Sequence, residues 1–408
     1  MRVLRVYHSG RTAAHRARER ALVAGGASLE LVVPANWTEG GAQPVLDEES
    51  FRIHEVPVTR PNDVNRHAYS DPTRIRRIIA DVEPDVIDVH EEPFSAAMHQ
   101  LQPLVPADIP IVAYTAQNAD KRYPPPFTRW ERSAFERVGA LYPCSRQAAS
   151  VARGRGYNGQ IRVLPLGFDP DVFRFGDQRH DDDVWTLAMV GRLVPEKGVM
   201  DALAAFAAVR ETRDCRLVVA GQGPLADEVL AAAQALRVGD AVTLHPWMSS
   251  EQVAALYRMS HVVLVPSRAT DRWVEQFGRI IVEAQASGAV VAGYASGSIP
   301  EVCQGAGLLS AEGDVVGLTR ACVDIASLPQ TWTALRDAGI ANSAGMSWQH
   351  VAEAQLALYA KAQSEPAPPT PGQRSTALEE FGAPARLRNG QARPFALPLL
   401  RSLGPRRP

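Results

Sequence analysis

At 408 residues the chain is long for one hydrophobic core and comfortable for two domains. Apolar residues make up 46% and charged residues 22%, and 43 basic against 45 acidic side chains leave a net charge of −2, so no bulk field selects nucleic acid. No apolar run approaches the roughly 20 residues of a membrane span, and the first strand pattern begins without a charged-then-apolar leader, so the expected location is the cytoplasm.

Residues 3–7 form a short apolar strand pattern, and His8-Ser9-Gly10 turns out of it into a helix pattern over 12–24. Arg11, Arg16, Arg18 and Arg20 give that helix a basic face, read first as solvated and second as a peripheral contact with lipid head groups at the inner face of a membrane. Strand patterns at 29–33, 53–58, 86–89 and 111–114 alternate with helical stretches such as 73–82, and 142–144 and 161–164 add two more. Alternation of this kind specifies an α/β fold with a parallel, doubly wound sheet. Residues 169–184, with Pro170, Gly176 and four acids behind them, read as an interdomain linker. A second alternating series follows at 185–190, 217–220, 242–244, 262–265, 290–292 and 307–309.

The chain therefore divides into a Rossmann-like domain at 1–168, the linker, and a second Rossmann-like domain at 185–346. A last amphipathic helix at 347–363 carries Trp348, Val351, Leu356, Leu358 and Tyr359, and the Pro- and Arg-rich tail at 364–408 has little periodicity and is expected to be disordered. Two such halves face a central cleft, with ligands at the carboxyl ends of the strands. The four cysteines (Cys144, Cys215, Cys303, Cys322) lack Cys-x-x-Cys spacing and read as reduced core thiols.

Three stretches carry the chemistry. Gly191-Arg192-Leu193-Val194-Pro195-Glu196-Lys197-Gly198 joins the first strand of the second half to a helix at 199–209. Arg192 offers a planar fork and Lys197, one of only three lysines, a point charge, a pair suited to a diphosphate. The plainer reading is a polar surface loop. The second stretch is the apolar strand 261–265, its loop with Arg268, Asp271 and Arg272, then Glu275, Gly278 and a helix from Arg279 to about residue 287. Strand, polar loop, glycine and helix aim N–H groups and a helix dipole at a phosphate. Glu275 lies just before the helix and Glu283 one turn inside it, so the two carboxylates face one cleft at different depths, one for sugar hydroxyls and one for a ribose. Two isolated glutamates would more often be solvated.

The third is a pair of strand ends in the first half. Asp88-Val89-His90-Glu91-Glu92 and Thr115-Ala116-Gln117-Asn118 leave the same sheet face, where acceptor contact competes with plain helix capping. Gly221-Gln222-Gly223 after a strand imitates a dinucleotide fingerprint. The next strand ends at Leu244-His245-Pro246 without the acid that would hold a ribose, which weighs against an NAD-dependent oxidoreductase. Asp181-Asp182-Asp183 imitates an Asp-x-Asp metal pattern but precedes a strand, so no metal site is expected there.

The string from Glu275 to Glu283, continued by Ser296-Gly297-Ser298-Ile299-Pro300-Glu301, resembles the Glu-x7-Glu signature of the retaining, GT-B-fold glycosyltransferases of family 4. The 191–198 loop resembles the same family's donor loop. The resemblance implies transfer of a sugar, with retention, from a nucleotide-diphosphate sugar (uridine first) to a saccharide, lipid-linked or small-molecule acceptor, without a cofactor. By the same resemblance Glu275, Lys197 and Arg192 are catalytic. Gly10, Gly191, Gly221, Trp247, Met248, Phe277, Gly278, Arg279 and Glu283 join them at the donor, and His90, Glu91, Gln117 and Asn118 meet the acceptor. Gln117 stands where many relatives carry a histidine, and an amide takes no proton, so no general-base role carries over. The alternatives are a GT-B disaccharide phosphorylase or synthase and, less well supported, the oxidoreductase.

Overall fold

The computed structural model describes residues 1–38, 43–121, 123–176, 184–271 and 273–364, with the backbone of Glu379–Glu380. Asp181, Asp182 and Asp183, and the tail from residue 365 apart from that dipeptide, lie outside the described residues.

The first sheet is built from β1 (Arg2–Val6), β2 (Ser28–Pro34), β3 (Arg52–Val56), β4 (Val86–Val89), β5 (Ile111–Thr115), β6 (Ala140–Pro143) and β7 (Gln160–Val163). All pair in parallel in the order β7-β6-β5-β4-β1-β2-β3, and Glu379–Glu380 pairs with β7 at the edge. The second sheet contains β8 (Trp185–Val190), β9 (Cys215–Ala220), β10 (Val242–His245), β11 (Val262–Val265), β12 (Val290–Tyr294) and β13 (Gly307–Ser310), parallel in the order β10-β9-β8-β11-β12-β13. Strands covered by helices on both faces read as continuous apolar runs, and β11, Val-Val-Leu-Val, is buried throughout. All four cysteines are buried and free, and burial raises the thiols of Cys144, Cys303 and Cys322 to about 12.

Two expectations change. The strand pattern at 53–58 ends at Val56, because Pro57 has no N–H with which to continue a ladder. The chain turns there and forms a small antiparallel hairpin, Val58–Thr59 with Ala68–Tyr69, beside the cleft. The helix pattern at 12–24 is broken into a short 3₁₀ turn, Ala13–His15, and α1 (Ala17–Ala24). Three of the four arginines on its basic face are not solvated. Arg11, Arg16 and Arg18 are buried, paired with Glu55, with Glu49 at 3.2 Å and with the Pro165 carbonyl at 3.3 Å respectively. Arg18 also packs between the rings of Tyr142 and Trp348, 5.5 and 5.0 Å away, the long stem filling apolar space while the head finds partners. Only Arg20 of the four is exposed, and it pairs with Glu49 at 2.6 Å.

Two helices of the second half lead into the site: α2 (Val199–Arg210), after the 191–198 loop, and α3 (Arg279–Ala286), after Gly278. The last, α4 (Trp348–Ser364), returns to the first domain and buries Val351, Leu358 and Tyr359 against Val3, Leu22, Val112 and Tyr142. Among the described residues no helix is long and apolar enough to cross a membrane.

Candidate functional site

On the second-domain side of the cleft the two predicted motifs meet. Lys197 ends a 3₁₀ turn, Pro195–Lys197, and its Nζ lies 2.6 Å from Glu275 Oε2 and 4.7 Å from the centroid of the Trp273 ring. The Ser267 hydroxyl donates to the same carboxylate oxygen at 3.2 Å. Glu283 is buried in α3, where it accepts from Arg279 Nε at 2.8 Å. Burial raises the Glu283 carboxyl above its ordinary range, and Arg279 works against that shift. Each of the two carboxylates is thus satisfied by a neighbouring cation.

Gly278 caps α3 with φ +81°, and no side chain caps the first turn, so its N–H groups remain available to an anion. Arg192 is largely exposed and pairs with Glu196, 3.8 Å away. Trp247 is 71% exposed, as a platform for a base would be, and Met248 is half-buried beside the core. Gly191 and Gly221 bring two loops into contact: a Cβ on Gly221 would stand 1.7 Å from the Gly191 carbonyl oxygen. Of the other residues expected at the donor, the Phe277 ring is buried in the core, and Gly10 is buried against Leu31, Tyr7 and Val33, while its neighbours His8 and Ser9 line the cleft.

On the first-domain side lies a cavity of about 680 Å³, closed on its far wall by Gln276 and Arg279. His90, Glu91 and Gln117 line it, together with Arg66, Lys121 and the rings of Phe94, Tyr123 and Phe127. His90 stacks on Tyr114 at 3.9 Å and shares a hydrogen bond with the Tyr142 hydroxyl at 3.0 Å. Burial, then Arg5 and Arg18, hold its pKa well below the usual value, so it is neutral at neutral pH. Glu92, half-buried and itself part of the cavity lining, accepts from Thr115 Oγ1 at 2.7 Å and the Ala116 N–H at 2.8 Å, and desolvation raises its carboxyl to about 7. The Gln117 amide donates to the Ala119 carbonyl of its own loop. Asn118, expected at the acceptor, is buried and donates across the cleft to the Glu275 carbonyl at 2.8 Å, because its loop packs on the other domain.

The sequence reading missed one cluster here. His8, His67 and Glu91 bring their ligand atoms within 4.8 Å of one another. No local spacing betrays it, since His8 and Glu91 are 83 positions apart and His67 comes from the hairpin that Pro57 starts.

Residues 19–172 match the sequence model described as Glycosyltransferase Family 4, and residues 173–337 match that described as Glycosyl transferases group 1. The chain belongs to this family of GT-B glycosyltransferases. Among curated relatives, the D-inositol 3-phosphate glycosyltransferase of Segniliparus rotundus is 34% identical over 217 residues, 49% of this chain and 46% of that protein. The enzyme of the same name from Mycobacterium avium is 34% identical over 230 residues, 50% of each chain. This family member therefore spans about half the length of the curated relatives it matches. Its GT-B architecture recurs in sucrose-phosphate synthase from Thermosynechococcus elongatus, with TM-score 0.71 and 18% identity over 89% of this chain and 99% of that one. It recurs also in Anabaena HepE in complex with UDP and glucose, with TM-score 0.69 and 14% identity over 88% of this chain and all of that one. At such identities the likeness is one of fold.

Proposed function

We propose that this family member transfers a sugar from a nucleotide-diphosphate sugar to an acceptor held in the first-domain cavity, with retention of anomeric configuration. The observation that carries the reading is the Lys197–Glu275 pair, 2.6 Å apart and part-buried, in which the Glu275 backbone is fastened to the acceptor side through Asn118. Lys197, Arg192 and the uncapped start of α3 meet the diphosphate, and positive groups placed in advance stabilise the charge that develops as it leaves. Glu275, freed from Lys197, accepts from sugar hydroxyls, and Glu283 accepts from the ribose. The bond from the anomeric carbon to phosphate breaks with its electrons on the phosphate oxygen. The acceptor oxygen bonds from the same face, and its proton passes to that phosphate oxygen. Closure over the reactants keeps out the water that would hydrolyse the donor.

Uridine is the first donor base to test. Arg66, Lys121 and Arg279 around the cavity favour an acceptor with an anionic group, in keeping with relatives whose name gives an inositol phosphate. The deciding experiment is a thermal-shift series with UDP, GDP, ADP and dTDP, since a ligand bound only by the native state at a hundredfold excess adds about 2.7 kcal/mol. One nucleotide is expected to raise the melting temperature, and its sugar conjugate to yield a product of unchanged anomeric configuration by NMR. A shift with NAD or inorganic phosphate but with no nucleoside diphosphate would overturn the reading.

A further inference from the structure

The cluster at the floor of the first-domain cavity has an unusual set of protonation constraints. The His67 ring is fully buried, and its Nδ1 lies 3.1 Å from the Asp63 carbonyl, which can only accept. Nδ1 therefore carries a hydrogen, which leaves Nε2 as the ring nitrogen able to take a ligand. That nitrogen is buried and has no hydrogen-bond partner among the described residues, and Glu91 Oε1 lies 3.9 Å from it. A buried nitrogen and a carboxylate at that separation, beyond hydrogen-bond length, leave a place for a cation between them. The Tyr69 hydroxyl, whose ring packs edge-on to His67, is a second buried polar atom without a partner among the described residues, and it feels the charge of Glu91.

His8 completes the set. Its Nδ1 is 2.7 and 2.9 Å from the two Glu91 oxygens, and its backbone N–H donates to Glu91 Oε1 at 2.9 Å. The rings of His8 and His67 both lean on Trp37, 4.9 and 5.2 Å away, which fixes their orientation from behind.

We propose that His8, His67 and Glu91 bind a divalent first-row transition metal ion, zinc first, with a coordination position open to the cavity. Two imidazoles and one carboxylate are a donor set that zinc uses when a fourth position is left for an exogenous oxygen. Bonds of about 2.0–2.2 Å place ligand atoms roughly 3.2–3.6 Å apart, so the observed separations need only small side-chain adjustments to close around an ion. The hydrogen bond from His67 Nδ1 to a backbone carbonyl is the outer-shell contact that orients a metal-bound imidazole. His8 and Glu91 border the cavity, so the open position faces the acceptor space, where an ion would hold an oxygen-rich ligand, a vicinal diol or a phosphate oxygen. The metal site stands independently of the transfer reading, because its probe is the ion alone.

The test dialyses the chelator-stripped full chain against zinc and counts bound metal by mass spectrometry, then repeats the titration with cobalt(II). One equivalent is expected, with a visible cobalt spectrum of low-coordinate nitrogen and oxygen ligation and no thiolate charge-transfer band. His67→Gln and Glu91→Gln are each expected to weaken binding at least about 100-fold, beyond the loss usual for an outer-shell change. No bound metal in the wild-type chain would overturn the proposal. So would unchanged affinity in both variants, or a cobalt spectrum showing sulfur ligation. The spectrum needs no variant, so a variant that fails to fold leaves the proposal exposed to refutation.

Discussion

On the proposed reading the Lys197–Glu275 pair separates two kinds of binding energy. With Lys197 proposed to meet the diphosphate and Glu275 the sugar, Lys197→Ala should abolish the thermal shift caused by a nucleoside diphosphate and lower transfer by about 100-fold or more. Glu275→Gln should keep the nucleoside diphosphate shift and lose the further gain from the sugar conjugate. A variant that loses both shifts would place Glu275 in holding Lys197 alone. Glu283 carries a different signature. Burial raises its carboxyl in the folded protein, so the folded state binds its proton more readily than the unfolded state does. Ionised Glu283 therefore costs stability, and the cost grows as pH rises from the unfolded carboxylate value through the raised folded one. Glu283→Gln is expected to melt higher relative to wild type at pH 7 than at pH 4, while losing affinity for the nucleotide. A pH-independent difference between the two melting curves would show that Arg279 cancels the burial penalty.

At the scale of elements, the loops after β8 and β9 work as one body. Leu193 N–H donates to the Gln222 carbonyl at 2.8 Å, and Leu225 N–H donates to the Leu193 carbonyl at 3.2 Å. A Cβ on Gly223 would stand 2.2 Å from the Leu193 carbonyl oxygen, so Gly223→Ala must push the donor loop aside. A loss of about 2 kcal/mol or more in denaturant unfolding is expected, with weaker nucleotide binding. Gly154→Ala, with nothing within 4 Å, should stay within about 0.5 kcal/mol of wild type. The glycine pair that imitates a dinucleotide fingerprint is thus there for contact between loops.

This contrast explains what the sequence could and could not reveal. Strands at 86–89, 185–190 and 262–265 were legible to the residue because they are mostly apolar runs buried almost throughout, and Gly278 marked the start of α3. The break in the first helix and the burial of Arg16 and Arg18 were not legible. Arginine on a helical face looks solvated until the fold supplies Glu49, Pro165 and the Trp348 ring. The His8–His67–Glu91 cluster was invisible for the same reason, since three separate elements supply it.

For the whole molecule, α4 fastens the second half to the first. Gln355 donates to Asp88 at 2.8 Å, and the Tyr359 hydroxyl donates to the same carboxylate, which Arg5 and Tyr142 also hold. Tyr359→Phe removes one charge-assisted bond between α4 and the first domain and should cost about 2 kcal/mol in denaturant unfolding without altering nucleotide binding.

Alignment of the two faces depends on lighter contacts. Arg146 N–H donates to both oxygens of Glu301 at 2.8 and 2.9 Å, and Asn118 donates to the Glu275 carbonyl. On the proposed reading the Asn118 bond acts on the residue that meets the sugar, and would set the height of the sugar against the acceptor cavity. Displacing a reacting group by about 1 Å can cost roughly 100-fold in rate while leaving binding intact. Asn118→Ala should therefore lower kcat by about 10- to 100-fold, change the nucleotide Kd less than about twofold, and lower stability by about 1 kcal/mol. Nucleotide affinity falling in step with kcat would mean that Asn118 merely supports the Glu275 loop. A fall in kcat alone would mean that one hydrogen bond between domains holds the donor over the acceptor.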